Sequence, residues 1–139
     1  MNDSAKNKIL GNNSLEKFNL ILPEANPANT ANPGVLLLDS SYEIQCTGLM
    51  TVEGLNGQTK FLFKNIKKLG AFLNANKVQA IVLNFKDVKN IDTAGLAFLF
   101  EVTQVMKTFG LKVSGRFFSE QGENLAHAQG VLDLIKNFK

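Results

Sequence analysis

The residues of this chain that could carry chemistry are few. Cysteine and histidine occur once each, at Cys46 and His127. That is too few for a zinc site, and the two lie far apart in sequence. His127, in Ala126-His127-Ala128, reads as an exposed helix histidine rather than a catalytic one. Asp87 and Asp92 are separated by a turn, which suits no paired-carboxylate mechanism by itself. There is no GxxxxGK[ST] phosphate loop, no GxGxxG after a strand and no GxSxG elbow. The reading is therefore of a non-enzyme, with no cofactor and no metal. One place remains, the four residues Asp92, Thr93, Ala94 and Gly95. They join an apolar run, residues 80–85 (AIVLNF), to apolar residues at helical spacing over 96–109. The run reads as a strand buried on both faces. A hydroxyl residue at a helix N-terminus either caps the helix or receives a phosphate, and for Thr93 both readings stand.

The elements that must hold this turn can be read along the chain. Residues 1–14 are rich in Asn, Ser and Lys and read as a mobile tail. Leu15, Phe18 and Leu22 share a helical face, whereas Phe18, Leu20 and Leu22 share a strand face, so that window stays undecided. Residues 23–34 (PEANPANTANPG) hold all three prolines and read as an extended connector. The division expected is residues 1–34 as tail and connector and 35–139 as the compact domain. Residues 35–38 and 42–47 flank Asp39-Ser40-Ser41 and read as a β-hairpin, with Tyr42, Ile44 and Cys46 on its buried face. Gly48 is expected to end that strand and open a flexible loop to Gly57. Leu62, Ile66, Leu69 and Leu73 then mark a helix over about 58–74, with Lys60, Lys64, Lys67 and Lys68 on its opposite side. That lysine face is either solvated or a docking surface for an acidic partner. After the central stretch come a short strand at Leu111 and Val113, then a helix over about 120–128 capped by Ser119 and ended by Gly130. A final apolar segment from Val131 to Phe138 folds back on the core. The fold class expected is α/β, a small mixed sheet with an N-terminal hairpin and parallel strands, covered by helices.

Composition sets the bounds. The chain has 139 residues, 45% hydrophobic and 19% charged, which fits one ordinary globular domain. A net charge of +3 is compatible with an anionic partner without requiring one. A nucleic-acid surface would interleave aromatic with basic residues; the eleven phenylalanines instead fall mostly at core-facing helical positions, so no nucleic acid is expected. A single cysteine fits a reducing compartment, no run is apolar enough to cross a membrane, and the first residues lack the layout of a signal peptide. The expected location is cytoplasmic.

The run IVLNFKDVKNIDTAGLAFL, residues 81–99, resembles the signature of the STAS domain. The shared pattern is an apolar strand with Asn84 at its end, then Asp87-Val88, Ile91, and Asp-Ser/Thr-x-Gly-Leu opening a helix. Gly48 after an early strand and Gly130-Val131-Leu132-Asp133 near the C-terminus fit the same family, so the resemblance spans about residues 35–138. It implies a bacterial regulatory protein like the anti-sigma factor antagonists, which binds a kinase-type partner and is switched by phosphorylation of the hydroxyl residue after the turn aspartate, here Thr93. Three positions depart from that group: Thr93 where Ser is usual, Ala94 where Ser or Thr is, and Ala97 where Gly is frequent. The run D-T-A-G-L-A is closer to the STAS subunit of the Mla phospholipid-transport ABC complex, which implies the alternative of an accessory subunit holding an ATPase. The partner surface expected is Asp92, Thr93, Ala94, Gly95, Leu96 and Phe100. The last two lie at the edge of a helical face that buries Phe98, Leu99, Val102, Val105, Met106 and Phe109.

Overall fold

Alternation along the strands decides how this chain is layered. The computed structural model describes residues 7–11, 17–23 and 41–139. Five strands, β1 (Asn7–Gly11), β2 (Phe18–Pro23), β3 (Ser41–Met50), β4 (Ala80–Ile91) and β5 (Lys112–Arg116), form one sheet in chain order. β1 and β2 pair antiparallel, as do β2 and β3, whereas β3–β4 and β4–β5 are parallel. Each parallel step needs a crossover, supplied by helices α1 (Val52–Leu55) and α2 (Thr59–Ala75) before β4 and by α3 (Thr93–Thr108) before β5. Helix α4 (Glu120–Ala128) and a 3-10 turn (Leu132–Ile135) close the chain. The mixed α/β class read from the sequence is the one observed.

Tyr42, Ile44, Cys46 and Met50 of β3, Ile81, Leu83 and Phe85 of β4, and Val113 of β5 point to one side and are buried under the helices. Burial holds the Tyr42 phenol and the Cys46 thiol in their neutral forms by pushing both pKa values up. From α2 come Leu62, Ile66, Leu69 and Leu73; from α3 come Leu96, Phe98, Leu99, Val102 and Met106. Phe98 meets Phe18 edge-on at 5.3 Å and Phe63 at 5.1 Å, tying β2, α2 and α3 together. A second aromatic cluster, Phe85, Phe118 and Phe138, has ring centroids 5.1–5.4 Å apart and fastens the C-terminal segment. Ser119 caps α4 and Gly130, at φ 70°, follows its end, as the sequence reading expected.

Three expectations need correction, and a fourth falls outside the described residues. Strands β1 and β2 lie inside the stretch read as tail and connector, and Leu10, Phe18, Leu20 and Leu22 belong to the core. The period-two reading of Phe18, Leu20 and Leu22 was the right one. The first arm of the expected hairpin, residues 35–38, falls outside the described residues; the antiparallel neighbour that β3 has is β2. Gly48 does not end β3. It sits at φ 86° where the register with β4 shifts, so it makes a bulge, and the strand runs on to Met50 before α1. Finally, β4 is not buried on both faces. Val82 and Asn84 are only half-buried, because the helices cover one side of the sheet and leave the other to polar pairs. On that open side Arg116 meets Glu43 at 3.4 Å, the Asn84 amide donates to Glu43 at 2.8 Å, and the Gln45 amide donates to Asp87.

Candidate functional site

The turn at residues 92–95 is built by two chain segments that interlock. At the end of β3, Thr51 caps α1, its hydroxyl accepting from the Gly54 N–H at 3.2 Å. At the end of β4, Asp92 caps α3, its carboxylate accepting from the Gly95 N–H at 3.0 Å. The other Asp92 oxygen accepts from the Val52 N–H at 3.0 Å, so one carboxylate ties together the first turns of two helices. The Asp92 N–H in turn donates to the Met50 carbonyl at 3.2 Å. Both glycines are needed for this closeness. A Cβ on Gly95 would stand 2.1 Å from the Met50 carbonyl oxygen, and one on Gly54 1.8 Å from that of Leu49.

The cap of α3 is thus Asp92 and not Thr93. The threonine occupies the first helical position and is exposed. With Asp92 serving Gly95 and Val52, and Leu96 N–H donating to the Asp92 carbonyl at 3.0 Å, the first-turn N–H groups of Thr93 and Ala94 are those that the helix's own ladder leaves over. Ala94 is half-buried and forms one wall of a shallow groove of ≈ 370 Å³ between α1, the start of α2 and α3. Val52, Leu55, Phe63, Ala97 and Glu101 line the same groove. Val52 is 59% exposed, an apolar side chain left in water one hydrogen bond away from Asp92.

The remaining expected contacts separate. Gly95 is sealed beneath the Met50 carbonyl, and Leu96 is 4% exposed, so Leu96 is a core residue and presents no side chain to a partner. A helical projection put it at the boundary, but α3 is flanked by α2 on one side and α4 on the other, which widens its buried sector. Phe100 is 49% exposed on the outer face, where a residue expected to meet a partner has to be. His127 is exposed near the end of α4, Cys46 is buried and unpaired, and among the described residues no group of three or more His, Cys, Asp or Glu side chains could hold a metal ion. What the sequence reading missed is the α1 side of the site. The signal for it was present in Thr51-x-x-Gly54, a cap spacing repeated at Asp92-x-x-Gly95.

No family model matches the sequence, and no curated protein matches it. Solved structures do. TM1081 of Thermotoga maritima, a candidate anti-sigma factor antagonist, superposes with a TM-score of 0.53 at 17% identity, over 73% of this chain and 80% of that one. Its solution structure gives a TM-score of 0.52 over 73% and 74%. SLC26A9 gives 0.50 at 13% identity, over 71% of this chain and 18% of that one. At such identities the likeness is one of fold: the chain has the fold of the anti-sigma factor antagonists, the STAS fold.

Proposed function

On this STAS fold we propose a non-enzymatic regulatory protein that binds a partner kinase or ATPase through the turn of Asp92, Thr93, Ala94 and Gly95 and the exposed face of α3. Thr93 is its phosphoacceptor, and it acts in the cytoplasm in the manner of an anti-sigma factor antagonist. The observation that carries the reading is the division of labour at the turn. Asp92 does the capping, which leaves the Thr93 hydroxyl exposed beside an apolar groove. Among the described residues no helix is long and apolar enough to cross a membrane.

A phosphate on Thr93 adds about −1.5 to −2 charge units at a helix N-terminus, where the macrodipole and the spare N–H groups accept it. The fold is therefore preserved. The same phosphate stands next to the Asp92 carboxylate and at the mouth of the groove that Glu101 lines, so a partner must bury it against like charge. That costs roughly 2 kcal/mol or more, a factor of about thirty in affinity. Thr93→Glu should release the partner while Thr93→Ala keeps it, read by affinity purification from the native host with mass spectrometry. Partners that stay bound to both variants would reduce the turn to a structural device. A second reading, an accessory subunit of an Mla-type phospholipid-transport ABC complex, is supported by Ala94 and Ala97 in the D-T-A-G-L-A run, both of which line the groove. Recovery of a GHKL-type kinase favours the first reading, and recovery of a transporter ATPase the second.

A further inference from the structure

The outer face of α2 is a surface that the turn at Asp92 does not use. It carries Lys60, Lys64, Lys67 and Lys68, all exposed, on a helix with no acidic residue. At 3.6 residues per turn the four positions fall within about 100° of arc and span about 12 Å along the axis. The arrangement works against the helix. Lys60 and Lys64, and Lys64 and Lys68, are like-charge neighbours four residues apart. Lys60 stands in the first turn and the last turn has no basic residue, the reverse of what the macrodipole favours. The one ion pair among the described residues joins Arg116 to Glu43, so no carboxylate among those residues pairs with any of the four lysines. Glu101, the acid that faces α2 across the groove, pairs with none of them. Beside the stripe Phe61 is 51% exposed.

The shape of this face selects its partner. α2 packs on the core through Leu62, Ile66, Leu69 and Leu73, so the four exposed lysines stand on the opposite, outward side of the helical cylinder, which is convex. Acidic peptide motifs are fixed by clusters of arginine forks, by a groove or by a strand edge, and α2 carries lysines but no arginine. Flexible ammonium groups on a ridge match a plane of many mobile anions, with no planar bidentate contact required. We propose that the outer face of α2 docks on an anionic phospholipid bilayer, with the four lysines over the headgroup phosphates and Phe61 at the interface. The apolar side of α2, Leu62, Ile66, Leu69 and Leu73, stays committed to the core, so the contact is peripheral and salt-sensitive. This surface is independent of the partner reading above.

The test is co-sedimentation of the full chain with vesicles of phosphatidylcholine alone and of phosphatidylcholine with about one third phosphatidylglycerol, the anionic component supplying the surface potential. Binding to the anionic vesicles only is expected, with release as salt rises to about 0.5 M and screening shortens to a few Å. Lys64→Glu with Lys68→Glu should weaken binding at least about tenfold. Lys112→Glu with Lys136→Glu, the same change of net charge on other exposed positions, should leave it nearly unchanged. Circular dichroism melting of both pairs establishes that each is folded. Equal loss in both pairs, absence of binding to the anionic vesicles, or capture by polyglutamate in preference to vesicles overturns the proposal.

Discussion

The first turns of α3 and α4 are the same device put to different use. In each, a side chain at the N-cap accepts from the N–H of a glycine three residues on, at 3.0 Å in both: Asp92 to Gly95, and Ser119 to Gly122. In α4 the hydroxyl is itself the cap, and Glu120 and Glu123 already supply negative charge to the first turn. In α3 a carboxylate is the cap, no acid follows it in the first turn, and a hydroxyl sits next to it in the open. The α4 turn closes a helix. The α3 turn closes a helix, holds α1 in place through Val52, and still has an exposed hydroxyl to offer. A hydroxyl spent on capping is tied down; moving the cap to the preceding aspartate sets it free without leaving the helix end unsatisfied.

The sharpest way to break the comparison is at its glycines. Gly95→Ala drives a methyl group into the Met50 carbonyl at 2.1 Å, a backbone atom that cannot step aside without moving β3. The expected loss of stability is about 3 kcal/mol or more, at the upper end for overpacking. In Gly122→Ala the methyl meets the Phe118 ring at 2.5 Å, and a side chain, even one packed against Phe85 and Phe138, yields more readily than a backbone carbonyl within a sheet. About 1–2 kcal/mol is expected there. Urea denaturation of the two variants reads the difference, and equal losses would mean that the α3 turn is no more tightly interlocked than the α4 turn.

The caps themselves come next. Asp92→Ala removes a charge-assisted cap and the tether to Val52, so about 2 kcal/mol should be lost; Ser119→Ala removes one neutral cap, for about 1 kcal/mol. The excess at Asp92 should shrink in a variant whose α1 has lost its own cap, which a double-mutant cycle with Thr51→Ala measures.

The two turns were not equally legible in sequence. Ser119, the span of α4 and Gly130 are all local signals, and they were read correctly. The strand–turn–helix at 80–108 was legible for the same reason, as apolar periodicity switches from strand to helix across a polar hinge. The site's other half was not. α1 has only four residues and follows a bulged strand, so neither periodicity nor length marks it. β1 and β2 are five and six residues long, and pairing with β3 decides them more than any intrinsic preference. Leu96 was misplaced because a projection of one helix knows nothing of its flanks.

Alkali should act beneath both turns alike. Cys46 and Tyr42 lie in β3 and are held neutral by burial, with pKa values raised above those of the unfolded chain. The folded state then keeps protons that the unfolded state gives up, so stability falls as pH rises past the ordinary cysteine and tyrosine values of about 8.5–10. Below that range these two groups contribute no slope. The urea midpoint should therefore be insensitive to them at pH 7 and fall by pH 10, in the wild type and in both glycine variants. Cys46, 1% exposed, should react with a thiol reagent only on unfolding, which gives an independent clock for the same comparison.

The smallest expected effect is the most discriminating, because its sign differs between readings. If Thr93 were the cap of α3, Thr93→Ala would cost about 1 kcal/mol, as Ser119→Ala does. In this structure Thr93 is an exposed residue at the first helical position, and alanine is the better helix former by up to about 0.5 kcal/mol. Thr93→Ala should leave stability unchanged or raise it slightly, while Asp92→Ala lowers it. A measured loss near that of Ser119→Ala would return the hydroxyl to structural duty and undo the contrast between the two turns. A neutral or positive result leaves Thr93 with no structural task at its position, and its hydroxyl available for modification by a partner.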